Sequence, residues 1–240
     1  MQTSVALPAA TDIVADEVAL LTSLVDLDGA RLLELGCGAA DFARKVVARS
    51  RVASVTAFEV DRIQHDRNLA GAGVKRLSFA FGGAEAIKLP DGCVDGVLMM
   101  KSLHHVPMMS LDRALGEIAR VLKPGGWFYA SEPVYDGEFN DLIKLFHDEG
   151  VVRDAAYKAL GRAHLRGVLR EDREIQFMAP VAFKDFEDFD RRVIRTTHSD
   201  HDLPPKLRAT VRERFEKYMK PGGVKFIRPM RVNLMSRPEN

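Results

Sequence analysis

Between residues 31 and 133, short apolar runs alternate with stretches whose apolar positions recur every three or four residues. Leu32–Leu35, Ser54–Glu59, Gly73–Phe81, Val94–Met100 and Trp127–Glu132 read as buried strands, since short apolar runs bounded by turns fit a sheet covered on both faces. Between them, Phe42–Val47, Ile63–Ala70 and 111–122 carry helical spacing. The last places Leu111, Leu115, Ile118 and Leu122 on one face and stops at Lys123-Pro124-Gly125-Gly126. Upstream, Ile13, Val14, Val18, Leu21, Leu24 and Val25 predict a helix over 11–26 with Thr11-Asp12 as caps, and Asp28-Gly29 turns into the first strand. Strands alternating with helices predict an α/β chain: a doubly wound parallel sheet with ligands at the strand C-termini.

Beyond residue 133 the pattern changes. Residues 138–170 read as two charged helices, and Arg173–Phe183 as a sixth strand that Pro180 demotes locally to an edge or bulge. A helix over 185–195, the loop Thr196–Asp202 and a basic helix over Pro205–Met219 follow. Val224–Ile227 and Met230–Met235 predict the last strand. The second Lys220-Pro221-Gly222-Gly223 repeats a turn, with no duplication around it.

Chemistry concentrates where the first strand ends, at Glu34-Leu35-Gly36-Cys37-Gly38-Ala39-Ala40-Asp41. A strand, a glycine turn and a helix bring bare backbone and a helix N-terminus up to a ligand. Dinucleotides and S-adenosylmethionine both use such a turn. The dinucleotide pattern places a third glycine where Asp41 stands, and a carboxylate there repels a pyrophosphate but accommodates an ammonium and a sulfonium. Glu59 lies about twenty residues beyond the turn, where an acid with two acceptor oxygens suits both ribose hydroxyls. Asp61 reads as a turn or cap of the next helix.

Composition narrows the setting. A chain of 240 residues, 46% hydrophobic and 29% charged, fits one large domain with a sizeable core. A formal charge of +1 gives no global argument for nucleic acid. Cys37 and Cys93 lack metal-ligand spacing and read as reduced thiols. Met1–Ala10 lacks a signal-peptide pattern and no apolar run spans a bilayer, so a cytoplasmic location without membrane attachment is expected.

Taken together, Glu34-Leu-Gly-Cys-Gly, Glu59, Ala84-Glu85 through Leu89-Pro90 to Val94-Asp95-Gly96-Val97, Leu103-His104-His105-Val106 and Arg120-Val-Leu-Lys-Pro-Gly-Gly-Trp127 resemble a class I S-adenosylmethionine-dependent methyltransferase, of the type 11/25-like kind, over roughly residues 12–133. The resemblance implies a Rossmann-like seven-stranded sheet, mostly parallel with an antiparallel last strand, and helices on both faces. It implies methionine-moiety binding at Glu34, Gly36 and Gly38, ribose binding at Glu59 and adenine contacts around Ala84 and Glu85. Cys37, Asp41, Val60, Lys101 and Ser102 complete the expected cofactor set. The third glycine of the family's turn is Ala40 here, whose methyl is the smallest possible intrusion.

Methyl transfer from a sulfonium needs an in-line alignment and, for some acceptors, a base. The candidates at strand ends are His104, His105, Glu132 and Tyr135, the histidines because their pKa lies near working pH. Tyr135, His198 and His201 are candidate substrate contacts. His198, Asp200 and His201 lack a third ligand at a telling spacing, so no metal is expected. The expected organisation is one domain over 1–240: a cofactor core at 12–133, a helical substrate-shaping insert and cap at 138–220, and a last strand at 224–236. The expected activity is methyl transfer to a small molecule by a monomer or homodimer, without nucleic acid. Alternatives are an RNA or protein methyltransferase, a non-catalytic S-adenosylmethionine-binding module and, disfavoured by Asp41, a dinucleotide-dependent oxidoreductase.

Overall fold

A computed structural model describes residues 9–195 and 203–239. Seven strands form one sheet: β1 (Arg31–Leu35), β2 (Ser54–Glu59), β3 (Leu77–Phe81), β4 (Val94–Met100), β5 (Leu122–Pro133), β6 (Arg170–Phe183) and β7 (Val224–Ser236). Their order is β3-β2-β1-β4-β5-β7-β6. The first five run parallel, and β7 inserts antiparallel between β5 and β6. The expected sheet, mostly parallel with an antiparallel last strand, is the one observed.

The helices are α1 (Glu17–Leu24), α2 (Asp41–Arg49), α3 (Arg62–Ala70), α4 (Leu111–Val121), α5 (Glu138–Ile143), α6 (Gly150–Leu165), α7 (Phe186–Phe189) and α8 (Pro205–Glu216). Because successive strand side chains point to opposite faces, the apolar runs divide between two cores. Leu33, Leu35, Val97, Met99, Phe128 and Ala130 pack with Leu115 and Ile118 of α4 and with Ala159 and Leu160 of α6. Leu32, Leu98 and Tyr129 pack the other way, with Leu21 of α1 and Ala43 and Val46 of α2. Glu34 shares the parity of Leu32 and therefore faces the α2 side, which matters for the site.

A third apolar cluster lies beyond the end of β5. The β5 pairing stops at Pro133, opposite Met230, whereas β6 and β7 continue as a two-stranded ribbon to Phe183 and Val224. On this overhang Phe139, Phe183, Phe186, Phe189, Phe215 and Phe226 pack together, with α5, α7 and α8 around them. The expected insert over 138–220 is thus divided: α6 belongs to a sheet layer, the first half of β6 forms the sheet edge, and α5, α7 and α8 pack on the overhang.

Several expected boundaries change. The first helix starts at Glu17, not near residue 11, with Asp16 as its cap, accepting from the backbone of Val18 and Ala19. Residues 12–14 instead run along the sheet edge, where Val14 N–H donates to Met178 O (2.8 Å) and Met178 N–H to Asp12 O (2.9 Å). Pairing with the open edge of β6 overrides helical periodicity there. Pro180 sits on that edge strand opposite Ile227 without a register shift; the irregularity falls at Glu171/Arg173. The helix expected over 185–195 is α7 followed by a wider turn over Asp190–Ile194. Among the described residues no helix is long and apolar enough to cross a membrane.

Candidate functional site

The glycine turn is held by backbone need on one side and by β2 on the other. Gly36 and Gly38 both adopt left-handed backbone (φ +67° and +53°), and a Cβ on Gly36 would stand 2.7 Å from Ser102 Cβ. At Gly38 a Cβ would meet nothing within 4 Å, so its backbone lies open. Ala40 is also left-handed (φ 57°), a conformation that costs an alanine about 1–2 kcal/mol, and Asp41 then opens α2.

Glu59 clamps this turn. One carboxylate oxygen accepts Gly38 N–H (2.7 Å), the other Val60 N–H (2.8 Å) and Asp61 N–H (2.9 Å). Asn68, buried in the last turn of α3, donates from Nδ2 to Gly38 O (2.7 Å). The sequence reading missed Asn68; a buried asparagine in a charged, weakly amphipathic helix was its only signal. Asp61 caps α3, as expected. Ser102 Oγ donates to Leu35 O (2.8 Å), tying the end of β4 to the end of β1. Ala84 is buried in the α4-side core, the Glu85 carboxylate folds against Gly83, and Val60 is exposed.

A cavity of about 620 Å³ opens beside the turn. Glu34, Cys37, Asp41 and Lys101 of the expected set line it, together with Glu17 and Val18 of α1, Met100, the β6 stretch Ala179–Ala182, and Arg228 of β7. Glu34 is almost wholly enclosed, and its Oε2 has no hydrogen-bond partner. Burial pushes its carboxyl up to about 8, against the pull of the Ala43 backbone N–H and of Lys101. Burial likewise raises the Cys37 thiol, which stays protonated, and lowers the Lys101 ammonium.

The candidate bases lie elsewhere. His104, His105, Glu132 and Tyr135 are not among the residues lining this cavity. His104 is buried, its Nδ1 against Glu132 Oε2 and its Nε2 3.4 Å from Glu149 Oε1. Glu132 Oε1 also accepts Leu103 N–H (2.8 Å). Although burial opposes it, the two carboxylates raise the imidazole pKa to about 9. Glu149, which also pairs with Arg153, is held well below the usual carboxylate range by these cations. His104, His105 and Glu149 bring donor atoms within 4.8 Å of one another, but both His104 nitrogens already face carboxylates. Tyr135 is half-exposed and donates its hydroxyl to Asp148 (2.8 Å). His198, Asp200 and His201 lie outside the described residues.

Sheet order, glycine turn and the acid at the end of β2 define an α/β fold in which the turn and the acid meet at the strand C-termini. Residues 33–130 match the family model described as a methyltransferase domain. The chain is similar to a fatty-acid O-methyltransferase of Mycolicibacterium smegmatis, with 37% identity over 118 residues, 46% of this chain and 40% of that protein. It is also similar to a sterol 24-C-methyltransferase of Yarrowia lipolytica, 30% identical over 176 residues, 64% of this chain and 45% of that one. The chain thus spans less than half the length of these relatives. Its fold is shared with the [4+2]-cyclase SpnF at a TM-score of 0.59 and 22% identity, covering 93% of this chain and 80% of that one.

Proposed function

We propose that this protein transfers a methyl group from S-adenosylmethionine to a small-molecule acceptor with a largely apolar body. The observation that carries the reading is the meeting, at one cavity, of the enclosed Glu34 carboxylate, which has an unpartnered oxygen, with Cys37 and Ala39 of the glycine turn, the two residues that flank the open backbone of Gly38. A buried acceptor without a partner gains most from a cationic donor, which the cofactor's ammonium provides. A carboxylate offers about four acceptor directions, and Glu59 spends three on backbone N–H groups, leaving one for a ribose hydroxyl. When bound, the cofactor supplies an electrophilic methyl on a sulfonium sulfur. Glu34 and the turn would hold its amino-acid end, Glu59 its ribose, and the segment Ala84–Glu85 its base. Val18, Met100 and Ala179–Ala182 would give the acceptor an apolar, water-excluding wall.

His104 enters as a positioning residue. Protonated between two carboxylates it has no lone pair to take a proton, so it fixes the segment 102–105 that closes against Leu35. A small molecule is favoured over RNA because two of the α8 cations are already paired, Arg208 with Asp190 and Arg212 with Glu187. The small, apolar acceptors in the names of the two relatives agree.

Calorimetric titration with S-adenosylmethionine, S-adenosylhomocysteine and NAD, followed by labelled methyl transfer to a panel of fatty acids, sterols and quinones, tests the proposal. Binding of the adenosyl compounds alone, with label in the organic extract, is expected. NAD binding, or label passing only to RNA or protein, refutes it. Adenosyl binding without transfer to any acceptor favours a binding module or other chemistry, since a fold does not fix its reaction.

A further inference from the structure

Arg228 lies on the β6–β7 overhang, opposite Ala179 and past the end of β5, and lines the cavity. Its Nε is fully enclosed and makes no hydrogen bond. Among the described residues it has no ion pair either; its one contact of note is with the Phe139 ring, 5.8 Å from the centroid. Of the other cations lining the cavity, Arg49 pairs with Asp16 and Arg192 with Asp188, whereas Lys45 of α2 has no ion pair among the described residues. Lys101, at the end of β4, has no ion pair among the described residues and is close enough to Arg228 for each to feel the other's charge. Two acids face them, Glu17, which accepts from the Tyr129 hydroxyl (3.3 Å), and Glu34, which burial holds largely protonated at neutral pH. Arg153, Glu132 and Glu149 also act on Arg228 and are bound up with one another and with His104. Arg228 is half-buried, and an enclosed guanidinium N–H without an acceptor is costly unless something arrives to pair with it.

Resting on the methyltransferase reading, we propose that Arg228, supported by Lys101, binds a carboxylate on the acceptor, so that the acceptor is an apolar molecule with a negatively charged end. A guanidinium is suited to this because its planar fork matches two carboxylate oxygens. S-adenosylmethionine also carries a carboxylate, but on the same carbon as its ammonium, and an ammonium at Glu34 keeps it near β1. Arg228 is three strands away in the order β1-β4-β5-β7, on the order of 14 Å at the usual spacing. Lys101 stands between the two.

Titration of octanoate and of octan-1-ol into the full chain, with and without S-adenosylhomocysteine, tests the assignment in the native protein, Arg228→Met and Arg228→Lys. The native protein is expected to prefer octanoate over octan-1-ol by roughly tenfold or more. Arg228→Met is expected to weaken octanoate by about ten- to a hundredfold while leaving octan-1-ol and S-adenosylhomocysteine unchanged. Arg228→Lys should restore part of the octanoate affinity. Arg228→Met should fold, because it removes an enclosed N–H that has no acceptor, and its melting curve checks this. No octanoate binding by the native protein, equal binding of octan-1-ol, or octanoate affinity untouched by Arg228→Met overturns the proposal. So does an equal loss of S-adenosylhomocysteine affinity, which reassigns Arg228 to the cofactor's carboxylate. If the native protein fails to bind S-adenosylhomocysteine at all, the methyltransferase reading falls, while the octanoate comparison still decides the anion site.

Discussion

Replacing Glu59 by glutamine changes no shape but removes one acceptor oxygen from a clamp that holds three backbone N–H groups. The cheaper orientation keeps the amide oxygen on Val60 and Asp61 and turns the NH2 onto Gly38 N–H. A bond to a charged acceptor contributes about 1.5–3 kcal/mol and a neutral one about 0.5–1.5, so the two retained bonds lose about 1 kcal/mol each. The stranded Gly38 N–H, partly buried, adds about 1–3 kcal/mol. Together these give a loss of roughly 3–5 kcal/mol, or on the order of 10 °C in melting temperature for a chain of this length. Differential scanning calorimetry of Glu59→Gln against the native protein reads it directly. S-adenosylhomocysteine at a hundred times its dissociation constant should add about 2.7 kcal/mol to the native protein and little to the variant. A melting temperature within a degree or two of native, or an undiminished ligand shift, would falsify the clamp, since water would then be satisfying the turn.

The two glycines of the turn should separate folding from binding. Gly38→Ala has open space for its methyl and should lose only about 1–2 kcal/mol for the left-handed backbone, yet lose S-adenosylhomocysteine binding in calorimetry. Gly36→Ala must also displace Ser102 and should lose roughly 2–5 kcal/mol in urea unfolding; equal stabilities would refute the steric argument. His104 predicts a pH dependence. Its pKa rises from 6.5 to about 9 on folding, so the native state holds the extra proton above pH 6.5. Its contribution is complete below pH 6.5 and is lost as pH rises through about 9. Glu34, raised from 4.5 to about 8, has the same sign over a lower window, so the measurement is the difference between native protein and His104→Gln in urea unfolding from pH 6 to 9.5. An identical slope in the two would remove His104 from the account.

Local pattern determined the parallel half of the sheet. Short apolar runs separated by helical spacing have few other ways to bury themselves, and period-two alternation already divides Leu32 from Leu33 and Tyr129 from Phe128. The glycine turn and Glu59 were visible for the same reason: left-handed backbone and a strand-end acid are local requirements written in single residues. The start of α1 was not, because the partner that draws residues 12–14 away from a helix, Met178, is more than 160 positions along the chain. Nor could sequence tell a histidine base from a structural cation. Only the tertiary structure brings Glu132 and Glu149 to either side of His104, and sets Arg228 on an overhanging ribbon at the cavity without an ion pair among the described residues. Charge and protonation are decided by what lies across the fold, at distances of a few ångströms, and the linear order of residues carries no measure of those.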